Sequence, residues 1–221
     1  MKSVTAMTND RFLRNSYVPG GKYGMPIIYK QAEINLENLE MLGFNNIKQN
    51  DERNKNKTIH FFIDDYHFDA VWSRPKNYIH RLKQYRQIIS PDFSLLTDMP
   101  LAVQIFNTFR RRWCSAYWQE QGMIVIPAIC WGDERSYEFC FDGISPGSII
   151  AVSTLGTGKI DAEFMKGYKI MLEKICPSKI ICYGTLYKGM QNNADIVHIP
   201  LVWNSLRKIN QHIIPGQFEL F

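Results

Sequence analysis

The feature that most constrains the fold is a series of short, almost uninterrupted apolar runs. The two clearest are residues 123–131, MIVIPAICW, and residues 148–154, SIIAVST. A strand with one solvated face alternates apolar and polar residues, whereas a strand covered on both faces does not. We therefore expect these runs to be central strands of a parallel sheet. Further runs of similar character are residues 58–63, 87–89, 179–183 and 195–201.

Segments with helical spacing separate the apolar runs, at residues 78–85, 101–121 and 162–175. Regular alternation of strands and helices is typical of α/β proteins, in which crossover helices cover a parallel sheet. The sequence therefore predicts an α/β fold with a mostly parallel sheet and helices on both faces. It leaves open whether this is an open doubly wound sheet or a reduced or irregular (β/α) barrel.

The beginning of the chain has a different character. Residues 1–29 contain the breaker clusters PGG and GMP, which predict an irregular arm. Apolar residues at helical spacing in residues 32–42 predict a helix. We expect residues 1–57 to form an arm and helix packed on the main domain, and residues 58–221 to form the α/β domain. The whole chain is then a single domain.

Charge and cysteine content limit the partners and the compartment. The formal net charge of +5 permits a nucleotide, a nucleic acid or another anionic ligand, but does not require one. The five cysteines include no Cys-x-x-Cys pair, which predicts free thiols in a reducing compartment. No apolar run approaches the ~20 residues that cross a bilayer. We expect a cytoplasmic protein that binds no membrane, and its oligomeric state is left open.

Several short motifs run through the middle of the chain. They are SPDFS at 90–94, DMP at 98–100, WQ at 118–119, VIP at 125–127, FCFDG at 139–143 and AVST at 151–154. In combination they resemble the family called domain of unknown function 4417, over roughly residues 15–205. That family occurs in phages and integrative mobile elements. The resemblance implies such a genomic setting and implies no activity.

Polar side chains follow the predicted strands where each strand ends, which is where parallel α/β folds bind ligands. Asp64 and Asp65 follow the first strand, Asp92 follows the second and Tyr183 ends the fifth. Asp64 and Asp92 could bind a hard cation such as Mg²⁺, or act with Tyr183 in acid–base roles. For Asp65 the favoured interpretation is a turn cap. Because Pro91 fixes the backbone before it, we expect Asp92 to serve a ligand rather than folding.

A glycine-containing loop follows the predicted strand at residues 148–154. Backbone amides in such a loop, followed by a helix, can bind a phosphate group. The candidate ligand residues are Ser153, Thr154, Gly156, Gly158 and Lys159. The lysine spacing is not that of a Walker loop, and a plain flexible turn remains the alternative.

Aromatic and basic residues could complete a nucleotide or nucleic-acid site. Trp131 ends a predicted strand and could flank a base together with Tyr183. Arg110, Arg112 and Trp118 lie on one predicted helix and could contact phosphates and stack on bases. The alternative is that these side chains have a structural role. Neighbouring arginines on a helix point in different directions, and residues four apart form a core face.

Two hypotheses for the function follow from these patterns. The favoured one is a phage or mobile-element enzyme acting on a phosphorylated ligand, such as a nucleotide or a nucleic-acid end, as a metal-assisted hydrolase or transferase. The alternative is a non-catalytic accessory protein of replication or host takeover that binds nucleic acid or a host protein. The first requires the acidic strand ends and the glycine loop to converge on one site.

Overall fold

The structure is a computed structural model that describes residues 17–157, 161–192 and 195–201. Four α-helices and nine β-strands occupy these ranges. The helices are α1 (Ala70–Ser73), α2 (Ile79–Leu82), α3 (Leu101–Glu120) and α4 (Asp161–Ile175). The strands are β1 (Pro19–Gly20), β2 (Met25–Pro26), β3 (Met41–Gly43), β4 (Thr58–His60), β5 (Gln87–Ile89), β6 (Val125–Ile126), β7 (Ile149–Ser153), β8 (Lys179–Tyr183) and β9 (Ile196–Ile199).

Seven of the strands are parallel and lie side by side in chain order. Strands β3 to β6 form one sheet, and β7 to β9 form a second. A single parallel bridge between Ala128 and Ala151 joins them. The ladder is interrupted here because Pro127 has no N–H to donate, and the N–H of Ala128 donates to the Ser90 hydroxyl at 2.7 Å. The predicted α/β class with a mostly parallel sheet is confirmed.

The sheet is open in the part of the chain that the structure describes, because no pairing joins β3 to β9 and no closed barrel forms. Alternate residues of each strand face opposite sides of the sheet, and different parts of the chain cover the two sides. Ile88 and Ile180 face the long helices, while Ile89 and Ile181 face the other side. Both long helices therefore cover the same side, which we call the helix side. We call the opposite side the inner side. Helices were expected on both sides, but residues 34–39 cover the inner side as irregular chain.

The helix predicted at residues 32–42 is wrong. These residues form turns followed by β3, which pairs with β4 across the predicted boundary at residue 57. Asn38 has a φ of 50°, in the left-handed region that interrupts a helix. The buried side-chain amide of Gln87 accepts from the N–H of Asn35 at 3.1 Å and donates to its carbonyl at 2.9 Å. A tertiary contact therefore replaces the backbone bonds that a helix would supply.

Helix α3 carries a stripe of buried polar side chains on its core face. Its core face carries polar and aromatic side chains at spacings of three and four residues, all fully buried: Gln104, Thr108, Arg111, Ser115 and Trp118. The helix ends where Gly122, with a φ of 78°, allows Met123 to donate to the carbonyl of Trp118 at 3.0 Å. In residues 17–157, 161–192 and 195–201, no helix combines the length and hydropathy that spanning a membrane requires.

Candidate functional site

The carboxyl ends of the parallel strands share one edge of the sheet, and the predicted site residues follow those ends. Asp64 comes after β4, Asp92 comes after β5, and Ser153 and Tyr183 are the last residues of β7 and β8. Their side chains divide between the two sides of the sheet. Asp92 lies on the helix side, whereas Tyr183 lies on the inner side with His60 and Phe62.

On the helix side, Asp65 rather than Asp64 is built into the structure. The Asp64 side chain is exposed. The Asp65 carboxylate accepts from the N–H of Ser94 at 3.2 and 3.1 Å, and from the Ser94 hydroxyl at 3.0 Å. These bonds fasten the loop after β4 to the loop after β5. The sequence interpretation of Asp65 as a local turn cap missed this contact, because it joins residues that are far apart in the chain.

Asp92 forms an ion pair with Arg111 of α3. Its side chain is 19% exposed, whereas that of Arg111 is completely buried. Arg111 also contacts the sulfur of Cys130, which follows β6. Burial raises the pKa of the Asp92 carboxyl, and the neighbouring Asp65 charge adds to the rise while Arg111 opposes it. Burial also raises the pKa of the Cys130 thiol to about 12, which keeps it protonated at neutral pH.

The Arg111 guanidinium is incompletely satisfied. One nitrogen contacts Asp92 and Cys130, while Nε and Nη1 are buried with no hydrogen-bond partner. A buried charged donor without an acceptor carries a large desolvation penalty, so such a group calls for a functional or solvent-related explanation. Sequence reasoning assigned Arg110 and Arg112 to ligand binding and missed Arg111.

Arg110 lies beside this pair and is held in place by several contacts. It donates to Asp69 at 2.8 Å and to the side chain of Asn107 at 2.6 Å, and its guanidinium lies 3.8 Å from the centre of the Phe93 ring. Its side chain is 13% exposed. We use the name carboxyl-edge cluster for Asp65, Asp92, Arg110, Arg111 and Cys130.

Arg112 and Trp118, predicted to contact nucleic acid, lie in the core. Arg112 is fully buried and donates to the backbone carbonyls of Asp142, Ala128 and Cys140. Burial lowers its pKa to about 9. Trp118 is also fully buried and stacks on Phe61 at 5.6 Å. Neither side chain offers a surface to a ligand, because the core-face spacing of α3 turns both inward.

Trp131 packs on helix α4. Its ring lies 4.9 Å from that of Phe164, and a Cβ on Gly167 would come within 2.2 Å of the indole nitrogen. The missing side chain of Gly167 therefore makes room for the ring. Trp131 lies on the helix side, so the structure does not bring it together with Tyr183 around a shared ligand.

The inner side of the edge is aromatic. Tyr183 stacks on Phe62 with ring centres 5.3 Å apart, and its ring lies 4.9 Å from that of His60. Burial lowers the pKa of His60 to about 4. The His60 ring is therefore neutral at physiological pH. It accepts a hydrogen bond from the N–H of Phe62 at 3.2 Å. This side of the edge excludes charge.

The predicted phosphate loop uses its hydroxyls internally. Ser153 accepts from the N–H of Leu155 at 3.1 Å, and Thr154 accepts from the N–H of Thr185 at 2.7 Å. Gly156 is exposed and has a φ of 76°. Gly158 and Lys159 lie outside the described residues. Phosphate binding by this loop stays a prediction.

Neither a group of metal ligands nor either of two surface clefts marks the carboxyl edge in the described residues. In the described ranges, no three His, Cys, Asp or Glu side chains are grouped to hold a metal ion. A Mg²⁺ site at Asp64 and Asp92 therefore stays a prediction. One cleft of about 280 Å³ lies between residues 17–31 and the end of α3. Another of about 480 Å³ lies at the opposite, amino edge, beside Lys57 and Arg86.

An open, mostly parallel α/β sheet with an ionic cluster at its carboxyl edge defines the general class of this protein. Within that class the chain belongs to the family described as Domain of unknown function (DUF4417), whose model matches residues 18–200. This confirms the resemblance seen in the sequence motifs.

Two phage proteins are similar to the chain. The Gene 1 protein of Mycobacterium phage L5 is 40% identical over 154 residues, which cover 68% of this chain and 67% of that protein. The Gene 1 protein of Mycobacterium phage D29 is 40% identical over 154 residues, and the match covers 57% of its length. No solved structure matches the chain.

Proposed function

We propose that this chain is a phage or mobile-element protein that binds and acts on a phosphorylated ligand, a nucleotide or a nucleic-acid end, at the carboxyl-edge cluster. The observation that carries the proposal is the buried Arg111 guanidinium with two unpartnered nitrogens, Nε and Nη1. Phosphate oxygens are acceptors of the geometry and charge that arginine binds best. The family membership and the two phage relatives support the genomic setting.

Asp92 is the partly exposed member of the ion pair, so a ligand that reached the Arg111 nitrogens would meet this carboxylate. An incoming phosphate would be repelled by ionised Asp92 and Asp65. Because burial raises the pKa of Asp92, this carboxyl accepts a proton more readily than an ordinary aspartate. We therefore expect ligand binding to be accompanied by proton uptake at Asp92. A carboxyl that exchanges a proton near the reacting group is also what acid–base catalysis requires.

The alternative function is a non-catalytic accessory protein that binds nucleic acid or a host protein. The burial of Arg112 and Trp118 removes two of the side chains on which a nucleic-acid surface along α3 depended. A protein partner is favoured by the exposed hydrophobic side chains at the start of α3.

Ligand-induced stabilisation tests the proposal. The probes are pyrophosphate, ATP with and without Mg²⁺, and a 12-nucleotide DNA carrying either a 5′-phosphate or a 5′-hydroxyl. A ligand that binds only the folded state at about 100 times its Kd stabilises it by about 2.7 kcal/mol, which a thermal melt resolves. We expect stabilisation by at least one phosphorylated probe, and more of it as the pH is lowered, because protonation removes the repelling charge of Asp92.

The variants are Asp92→Asn, Asp92→Glu and the matched control Asp195→Asn, whose carboxylate forms an exposed pair with Lys179 near the start of β8. We expect the control to respond like the wild type. Asp92→Asn imitates the protonated carboxyl and should lose the pH dependence of the response, whereas Asp92→Glu, whose longer side chain displaces the carboxylate beside Arg111, should respond less. Asp92→Glu retains the charge, so it tests the site even if Asp92→Asn folds poorly. Absence of stabilisation by every phosphorylated probe, or equal responses of wild type and Asp92→Glu, would refute the proposal.

A further inference from the structure

Large exposed hydrophobic side chains gather at the start of α3. The described residues include seven large hydrophobic side chains that are exposed, and two of them, Val18 and Tyr29, line the cleft beside the end of α3. The other five belong to the β4–α1 loop, the loop before α3 and the first turns of α3. We call these five the α3 patch: Tyr66 (68% exposed), Leu96 (53%), Leu101 (37%), Val103 (41%) and Phe106 (45%).

The segments that carry the α3 patch are fastened to one another. The side chain of Asn107 donates to the carbonyl of Ser94 at 2.7 Å, and Ser94 donates to Asp65, next to Tyr66. Within the loop before α3, the N–H of Met99 donates to the carbonyl of Leu96 at 3.1 Å. Phe106 packs edge-to-face on Trp72 of α1 at 5.7 Å. The patch is therefore a fixed surface, and fixed exposed apolar surfaces commonly mark protein contacts.

The charges around the α3 patch are acidic on balance, because the exposed Arg135, which donates to the carbonyl of Thr97, is paired with Asp133. Asp64 and Asp98 are exposed and lie two residues from Tyr66 and Leu96 in the chain. Asp69, 55% exposed, pairs with Arg110, and the Arg110 guanidinium lies 5.2 Å from the centre of the Phe106 ring. Arg110 itself is committed to Asp69 and Asn107 and is largely covered. The patch thus has an acidic rim although the whole chain carries a net charge of +5.

We propose that the α3 patch binds a protein partner through an apolar segment flanked by lysine or arginine. The apolar centre supplies burial, and the acidic rim selects a basic partner and disfavours an acidic one. On the patch itself the same rim disfavours nucleic acid, whose phosphates would face aspartates. This inference does not depend on phosphate binding: the five patch residues lie outside the carboxyl-edge cluster, although Arg110 of that cluster borders Phe106.

Two synthetic peptides of 18 residues provide the probe. Both carry leucines at positions i, i+3, i+4 and i+7 of each repeat, with lysine and arginine at the remaining positions in one and glutamate in the other. Their binding to the full chain is measured by fluorescence anisotropy at two salt concentrations. We expect the basic peptide to bind at least tenfold more tightly than the acidic one, with a difference that shrinks at high salt.

The variants Phe106→Ser and Val103→Ser test the apolar centre, and Asp98→Asn tests the rim. Val18→Ser is the matched control, because Val18 is at least as exposed (53%) but lines the cleft beside the end of α3. We expect each patch serine variant to weaken basic-peptide binding about tenfold, Asp98→Asn to reduce the salt dependence, and the control to bind like wild type. Val103→Ser serves if Phe106→Ser does not give a native circular dichroism spectrum.

Three results would overturn the proposal. Equal affinity for the two peptides would show that the patch attracts any apolar segment. Unchanged binding by both patch variants would show that the peptides bind elsewhere. Self-association of the wild type in sedimentation equilibrium, abolished by Phe106→Ser, would identify a second copy of this chain as the occupant.

Discussion

The two sides of the carboxyl edge treat charge in opposite ways. On the helix side, Asp92 and Arg111 are brought out of water as an ion pair, and Arg111 is left with two unpartnered nitrogens. On the inner side, His60 is buried without a countercharge, so its ring is neutral and packs against Tyr183 and Phe62. His60 and Asp92 lie at the ends of neighbouring strands of one sheet, and Tyr183 ends a strand of the second.

The difference indicates where chemistry can occur. A buried ion pair contributes little net stability compared with apolar packing. A partly unpartnered buried charge at a sheet edge therefore indicates a functional site more than a stabilising interaction. The aromatic inner side carries a neutral histidine in place of a charged group. The predictions below test this contrast, beginning with the largest expected effect.

The first prediction concerns the charge on the helix side. Asp92→Asn removes the countercharge of a completely buried guanidinium, and breaking one partner of such a pair costs about 3 kcal/mol or more. We expect that loss in the free energy of unfolding, measured with urea. The same measurement tests the sequence-based expectation that Asp92 serves a ligand rather than folding. A loss within about 0.5 kcal/mol, typical of surface substitutions, would show that Arg111 needs no partner.

The second prediction concerns the neutral histidine on the inner side. The folded-state pKa of His60 is about 4, below the ordinary value of 6.5. The unfolded chain therefore binds a proton between these values and the folded protein does not. Stability is complete above pH 6.5 and falls as the pH drops toward 4, by about 3 kcal/mol at 1.36 kcal/mol per pH unit.

His60→Gln provides the comparison for this pH dependence, because subtracting the two curves cancels the shared carboxylates. Between pH 7 and pH 4, the free energy of unfolding measured with urea should fall more for the wild type than for His60→Gln. Parallel curves would show that His60 is protonated in the folded protein and that the inner side does not exclude charge.

The third prediction tests whether Trp131 belongs to packing on the helix side. Gly167→Ala places a methyl group against the indole ring, where the Cβ would lie 2.2 Å from the nitrogen. Overpacking of this kind costs about 1–3 kcal/mol, partly offset by up to about 1 kcal/mol from the higher helix propensity of alanine. We expect a net loss of about 1 kcal/mol in thermal unfolding, and a smaller loss in a Trp131→Leu background. Equal losses in both backgrounds would contradict the packing role.

The fourth prediction has the smallest expected effect. Tyr183→Phe keeps the ring that stacks on Phe62 and removes the hydroxyl that the sequence analysis made a catalytic candidate. We expect a stability change within about 0.5 kcal/mol and unchanged binding of phosphorylated probes, since surface-type changes fall in that range. Loss of probe binding would extend the site to the inner side.

Much of the fold was predictable because several apolar runs have one interpretation. Residues 87–89 and 179–183 form strands with the predicted bounds, and α3 ends within one residue of its prediction. The failure at residues 32–42 has a tertiary cause: the Gln87 side chain, more than 50 residues away, binds the backbone of Asn35. Apolar spacing alone does not separate a helix from irregular chain covering a sheet.

The site was predictable in position and less so in membership. Strand ends led to Asp92, but the choice between Asp64 and Asp65 depended on a contact with Ser94 that local sequence does not encode. Arg111 was missed although a signal existed. Gln104, Thr108, Arg111, Ser115 and Trp118 recur at core-face spacing, and a buried polar stripe on a helix points to buried polar partners.

The single bridge between Ala128 and Ala151 has a consequence for native-state dynamics. The sheets on either side of it are held by full ladders, whereas the junction relies on Ile129 donating to Ala151 and Ala151 donating to Pro127, each at 2.8 Å. A seam of this kind divides a domain into cooperative units that open separately. We expect the amide protons of Ile129 and Ala151 to exchange with deuterium sooner than those of Ile181 and Cys182, so that the molecule first opens along this seam.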